Sequence, residues 1–257
     1  MLFSVITIFP EFFVSPLQEG IVRRAQREGR LRVAVHNLRD YALDRHHMTD
    51  DRPFGGGEGM VMKPEPLAAA VRQVLAGDPG GRVLLLTPRG VPLTQARVRE
   101  LAAEQHLVLV CGRYEGVDER FCRLVDEEVS LGDFVLSGGE LPALVLIDAV
   151  MRHLPGVLGC AESAERDSFS RGLLKHPQYT RPRDFEGEEV PSVLLSGDHA
   201  RIGQWRFLRS VEETLARRPD LLPGLCFSRE ELKWLRRGPL WARLCAAGWR
   251  EEAHVGH

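Results

Sequence analysis

Short apolar runs alternate with stretches of helical period along most of this chain, and the change of period marks out its elements. Leu2 to Ile8 reads as a strand, Phe12 to Gln26 as an amphipathic helix and Leu31 to His36 as a second strand. A polar stretch from Asn37 to Gly59 carries no apolar period. Pro64 to Leu75 is helical, with prolines near its start, where the missing N–H costs little. Arg82 to Thr87 (RVLLLT) and Leu107 to Cys111 (LVLVC) are continuous apolar runs, the pattern of strands covered on both faces, and Leu93 to Glu104 is a helix between them. Strands alternating with helices predict an α/β domain with a mostly parallel sheet. Ligands of such sheets bind beyond the carboxyl ends of the strands, so the segments after the strands are the ones to search.

The pattern changes near Ala161. Ser, Glu and Arg dominate, Pro177, Pro182 and Pro191 recur, and helical periods return at Ala200 to Arg217, Ser228 to Arg237 and Leu240 to Ala247. A linker followed by a small helical C-terminal domain is the reading. A 257-residue chain of 44% hydrophobic composition suffices for one good core or for a larger and a smaller domain. The net charge of −2 advertises no polyanionic partner, so any contact with nucleic acid has to come from local patches. The five cysteines, at 111, 122, 160, 226 and 245, are odd in number and contain no CxxC, which suggests neither a disulfide framework nor a zinc site. The apolar start MLFSVITIFPEFF carries no basic leader and is interrupted by Glu11 well before a membrane-spanning length. A cytoplasmic protein is expected.

Glycine marks three segments that follow strands: TPRGVPL, CGRYEGVDERF and SLGDFVLSGGELP. A glycine there permits close approach of a ligand to the backbone, and a helix that starts next offers free N–H groups. Any one of them alone is as well explained by a turn; three at one sheet edge point to a shared pocket. Neither GxxxxGK[ST] nor GxGxxG follows a strand, which leaves out a Walker loop and a dinucleotide fingerprint. The helix after the double glycine, Glu140 to His153, is apolar nearly all round, so the domain itself or a second subunit must cover it. Arg152 at its end then needs a partner.

GRYEGVDER, SLGDFVLSGGELP, DDRPFGGGEGM and HPQYTRP closely resemble the motifs of the bacterial tRNA (guanine-37-N1)-methyltransferase family, TrmD, and the likeness runs from FPEFF to beyond HARIGQWR. The resemblance implies an α/β fold with a deep trefoil knot, the SPOUT class. It implies a knotted S-adenosylmethionine-binding domain over 1–160, a linker over 161–170 and a helical tRNA-binding domain over 171–257. It also implies a homodimer with the active site at the subunit interface, acting on tRNA with guanine at position 37. Cofactor contacts carry over to Thr87, Pro88, Gly112, Tyr114, Glu115, Ser130, Leu131, Gly132, Asp133, Phe134, Val135, Leu136, Gly138 and Gly139, with the glycines making room for the adenine.

Asp167 in ERDSF matches the general base that removes the N1 proton of guanine, and Arg152 the group that holds the exocyclic oxygen as charge builds there. A free aspartate is a weak base, so burial or a tailored hydrogen bond is expected to raise it. The competing readings are a helix cap for Asp167 and a helix-dipole partner for Arg152. Gly57 and Gly59 in the glycine loop, with Ser168, His199 and Arg201, match the substrate side, and Arg206, Arg209 and Tyr179 are further candidates for RNA. Several members of the family use a magnesium ion, but no carboxylate cluster here identifies its ligands. Phe54 and Phe134 stand where tyrosine is common, Glu58 where proline is usual, and HHM at 46–48 replaces a basic run. Two other functions fit the same motifs: a knotted methyltransferase acting on another RNA position, and an RNA-binding module without turnover.

Overall fold

Leu84 and Leu86 pack into one apolar cluster and Val83 and Leu85 into another, so the run at 82–87 is a strand buried on both faces. It belongs to a five-stranded sheet of order β2-β1-β6-β5-β7 in the computed structural model, which describes residues 1–159 and 167–251. The strands are β1 (Leu2–Thr7), β2 (Arg32–Asn37), β5 (Arg82–Pro92), β6 (His106–Cys111) and β7 (Glu127–Ser130), and every pairing among them is parallel. Contacts divide the chain into two units, Met1–Ala161 and Glu162–His257. The expected linker, 161–170, lies outside the described residues as far as 166, as does Cys160.

Helices α2 (Gly20–Arg27), α4 (Gln95–Leu101) and α5 (Glu140–Met151) supply residues to the cluster on one face, among them Ala25, Leu101 and Ile147. On the other face α3 (Pro64–Gly77) packs Leu67, Ala70 and Val71 with Phe121 of the turn at 119–124. A two-stranded ribbon, β3 (Asp50–Asp51) with β4 (Val61–Met62), closes the base of the glycine loop.

The single helix expected over Phe12 to Gln26 is broken. Residues 10–13 form a 3-10 turn, α1 spans only Val14–Leu17, Glu19 is extended, and Gly20, the first residue of α2, has φ +57. A left-handed residue at that point stops the hydrogen-bond ladder, and the period of the sequence continues across the break without showing it. Strand β7 was not expected at all. Its sequence, EEVS, is acidic, and its acids are satisfied at the sheet edge: Glu127 accepts from Arg82 at 3.2 Å and from Arg97 at 2.8 Å, and Glu128 from Arg89 at 2.5 Å.

The second unit is helical apart from a short hairpin, β8 (Asp184–Phe185) with β9 (Glu188–Glu189). Helix α6 (His199–Arg217) starts at Asp198, whose side chain accepts from Arg201 N at 3.1 Å. Helix α7 (Arg229–Arg236) starts with a reciprocal cap between Ser228 and Glu231, and α8 (Leu240–Ala246) follows. Phe207, Val211, Phe227, Leu235, Leu244 and Trp249 form their shared core. Among the described residues no helix is long and apolar enough to cross a membrane.

Candidate functional site

The carboxyl ends of β5, β6 and β7 open onto a cavity of about 300 Å³. It is lined by Thr87 and Pro88 of β5, by Gly112, Tyr114 and Glu115 after β6, and by Ser130 at the end of β7 with Leu131, Phe134, Val135 and Leu136 after it, and Gly138 closes it. All of these are among the residues singled out from the sequence. Gly132, Asp133 and Gly139 are not in the lining; Gly132 (φ +149) turns the chain there, its N–H donating to Ser130 Oγ at 3.2 Å. Arg89, Arg113 and Pro142 line the cavity without having been expected.

Gly139 has a packing role. A Cβ on it would sit 2.6 Å from Cys111 Cα and 3.0 Å from Gly112 N, so its bare backbone lets the start of α5 press against the end of β6. Gly139 N also donates to Gly112 O at 2.9 Å. Glu140, the first residue of α5, is only 1% exposed and binds in two directions. Its Oε1 accepts from Thr7 Oγ1 at 2.8 Å and its Oε2 from Arg113 Nε at 3.0 Å. One buried carboxylate thus ties the ends of β1 and β6 to the helix behind the cavity, and its charge is matched by a guanidinium. The sequence signal was an acid directly after a double glycine, which reads equally well as a solvent-exposed first-turn residue.

The loop after β6 carries a strained residue: Tyr114 has φ +58. Burial and the nearby Asp50 push its phenol pKa up, so the hydroxyl keeps its proton at neutral pH. The glycine loop is tied to the same segment, with Glu115 N donating to Met60 O at 3.0 Å and Met62 N to Gly116 O at 2.9 Å. A Cβ on Gly59 (φ +77) would lie 2.6 Å from Glu115 Oε1, so this glycine rests directly on the cavity's carboxylate. Gly57 and Glu58 are exposed on the loop, and Phe54 is 98% exposed.

Helix α5 is not covered all round within its own unit. Leu141 and Val145 are each 48% exposed, Asp148 is exposed, and Arg152 stands at the C-terminal cap on the same line, at spacings of four, three and four residues. This stripe is apolar at one end and ends in a charged pair of positions.

In the second unit Asp167 begins a series of turns rather than a helix, with Ser170 N donating to Asp167 O at 3.2 Å and Phe169 N to Leu173 O at 2.8 Å. That removes the helix-cap reading. The Asp167 side chain is 30% exposed, and its Oδ1 accepts from Lys175 Nζ at 2.8 Å. Ser168 Oγ accepts from Lys175 N at 3.0 Å. A cavity of about 480 Å³ gathers Asp167, Lys175 and Arg171 with His199, Arg206 and Ser210 of α6; Ser168 and Arg201 are outside its lining. Among the described residues no group of three or more His, Cys, Asp or Glu side chains is placed to hold a metal ion.

A family model described as tRNA (Guanine-1)-methyltransferase TrmD matches residues 1–224. The chain is 54% identical over 236 residues to a tRNA (guanine-N(1)-)-methyltransferase of Geotalea uraniireducens, a match covering 91% of this chain and 96% of that one. It is 56% identical over 223 residues to the protein of the same name in Geobacter sulfurreducens, covering 86% and 91% of the two chains. The protein of that name in Moorella thermoacetica is 54% identical over 235 residues, covering 90% and 94%.

Proposed function

Because the chain belongs to the tRNA (guanine-1)-methyltransferase TrmD family, we propose that it transfers a methyl group from S-adenosylmethionine to ring nitrogen 1 of guanine at position 37 of tRNA. It works as a homodimer in the cytoplasm, with the site at the subunit interface, and its sheet carries the trefoil knot of the SPOUT class. The observation that carries this reading is the cavity beyond β5, β6 and β7, lined by Thr87, Tyr114, Glu115, Ser130, Leu131, Phe134 and Leu136.

The donor set of that cavity fits the cofactor. Leu131, Phe134, Leu136 and Pro142 offer an apolar slot for a flat base, Ser130 and Thr87 offer hydroxyls, and the Glu115 carboxylate suits a ligand carrying positive charge or sugar hydroxyls. Bound there, S-adenosylmethionine supplies an electrophilic methyl on a sulfonium, and the chain has to orient it and keep water away. The rigid floor made by Gly139, Glu140 and Arg113 holds the lining loops in one geometry for that purpose. On the acceptor side Asp167 takes the N1 proton, with its carboxylate oriented by Lys175 Nζ at 2.8 Å. Arg152 stabilises the oxygen on which negative charge accumulates. The exposed stripe of Leu141 and Val145 is the surface a second copy covers, and it runs toward Arg152.

The deciding experiment is transfer of labelled methyl to two tRNA transcripts that differ only in guanine or adenine at position 37, with the modified atom mapped. Labelling of the guanine transcript alone, on N1, is the expected result. Equal labelling of both, or of neither while the cofactor binds, overturns the assignment and leaves the other RNA targets of this fold to be tried.

A further inference from the structure

A second cavity, of about 440 Å³, lies wholly within the second unit and is made of different groups. Trp205 of α6 forms its aromatic wall. The His176 ring stands edge-on to it at 6.2 Å between centroids, and the Tyr179 ring is tilted against it at 6.2 Å. Arg181, Arg183 and Arg206 complete the polar side, and among the described residues no acid lines the cavity. Of the arginines elsewhere in this unit, Arg171 pairs with Glu231, Arg209 and Arg243 with Glu212, Arg217 with Glu213, Arg218 with Asp220 and Arg236 with Glu251, whereas Arg201, Arg229, Arg237 and Arg250 make no ion pair among the described residues. Arg181, Arg183 and Arg206 make no ion pair with any carboxylate among the described residues.

Unneutralised guanidinium groups around a half-buried aromatic wall are the two parts of a single-stranded nucleic-acid site: cations for the phosphates and a π-face for a base. We propose that this cavity receives one unpaired nucleobase of the RNA, distinct from the base that is methylated, stacked on Trp205 and Tyr179 with its flanking phosphates on Arg181, Arg183 and Arg206. The proposal deepens the tRNA reading above and rests on it for the identity of the RNA. Burial, with help from Arg206 and Lys175, lowers the pKa of His176; its Nδ1 lies 3.1 Å from Pro177 O and is engaged there, which leaves Nε2 to meet a base edge. Acidic residues of the adjoining hairpin, Asp184, Glu186, Glu188 and Glu189, stay outside the cavity and repel phosphate, which sends the strand along the arginine side.

Stacking requires an unpaired base, so the probe is an RNA stem-loop, compared with the same stem closed into a continuous duplex. The stem-loop should bind at least about tenfold tighter than the duplex and quench tryptophan emission, and Trp205→Phe should remove most of that quenching. Tyr179→Ala and Trp205→Ala should each weaken stem-loop binding by about tenfold. The double variant Arg181→Gln/Arg183→Gln should lower both the affinity and the salt dependence, by about 0.7 in the log–log slope for each phosphate that is no longer neutralised. Tyr179 is 45% exposed and both arginines are exposed, so these variants test the site even where Trp205→Ala fails to fold. Equal binding of stem-loop and duplex overturns the proposal, as does unchanged stem-loop affinity in folded Tyr179→Ala and Arg181→Gln/Arg183→Gln proteins. The methyl-transfer assay separates the two readings. Quenching without transfer keeps the stacking site and removes the methyltransferase assignment, whereas transfer with an unchanged KM in Tyr179→Ala does the reverse.

Discussion

At the cavity of the first unit the chemistry lies close to the main chain: Gly139 sits against the backbone of Cys111, Gly59 against Glu115, and Tyr114 is held at positive φ. Around Asp167 and Trp205 in the second unit the groups are side chains on turns and on one helix, half-exposed and paired through long flexible arms such as Lys175. The difference separates how each region should respond to substitution. A site built from backbone fails as a whole when one atom is added, because close-packed main chain has nowhere to move. A site built from side chains loses one function at a time and leaves the fold alone.

The sharpest test of that contrast is Asp167→Asn in the second unit. It should lower methyl transfer by roughly 10²–10⁴-fold, the usual contribution of a positioned base, while cofactor affinity by calorimetry and the melting temperature stay near those of the unsubstituted protein. Retained transfer removes Asp167 from the role of base. Gly139→Val in the first unit should behave in the opposite way, with a loss of about 3 kcal/mol in stability together with loss of cofactor binding, because the new side chain meets Cys111 Cα at 2.6 Å. If the melting temperature held and only the cofactor were lost, Gly139 would be making room for a ligand after all.

The strand–helix alternation, the parallel sheet and most of the cavity lining were legible in the sequence. Continuous apolar runs and post-strand glycines are direct signs of buried strands and close approaches, and the family motifs carried the rest. What was not legible depended on partners distant in sequence. Strand β7 is acidic because Arg82, Arg89 and Arg97 wait for it across the sheet edge. Glu140 is buried because Thr7 and Arg113 meet it from two strands. Arg206 and Arg209 were both candidates for RNA in the sequence, and only the folded chain shows that Arg206 joins Arg181 and Arg183 beside Trp205 while Arg209 pairs with Glu212.

The exposed stripe of α5 belongs to the cavity side of the comparison but is made of side chains, so it should break by association rather than by unfolding. Val145→Lys places a charge in the middle of that stripe, and sedimentation should show monomer in place of dimer, with transfer lost and the monomer still folded. A dimer that survives the lysine puts the interface elsewhere. A smaller effect is expected at the buried floor. Glu140→Gln keeps an acceptor for Thr7 but removes the charge opposite Arg113, and should cost about 2 kcal/mol by chemical denaturation.

The smallest effect, and the one that treats both regions alike, is that of acid on their buried and half-buried histidines. His106 is 1% exposed and shares a hydrogen bond with Ser4 Oγ at 2.9 Å, with Asp78 at 3.2 Å on its other nitrogen. Burial lowers its pKa although Asp78 opposes the shift, and burial likewise lowers those of His36 and His176. Each imidazole is therefore neutral in the folded chain at a pH where the unfolded chain has begun to bind a proton, near 6.5. Stability should be full above that pH, should fall as the pH drops below it, and should stop falling once the folded imidazoles are themselves protonated. In the first unit His106→Gln should flatten this decline between about pH 7 and 5 in urea midpoints, and in the second unit His176→Gln should flatten its own share independently. A decline that is untouched by either substitution assigns the acid sensitivity to the carboxylate pairs instead.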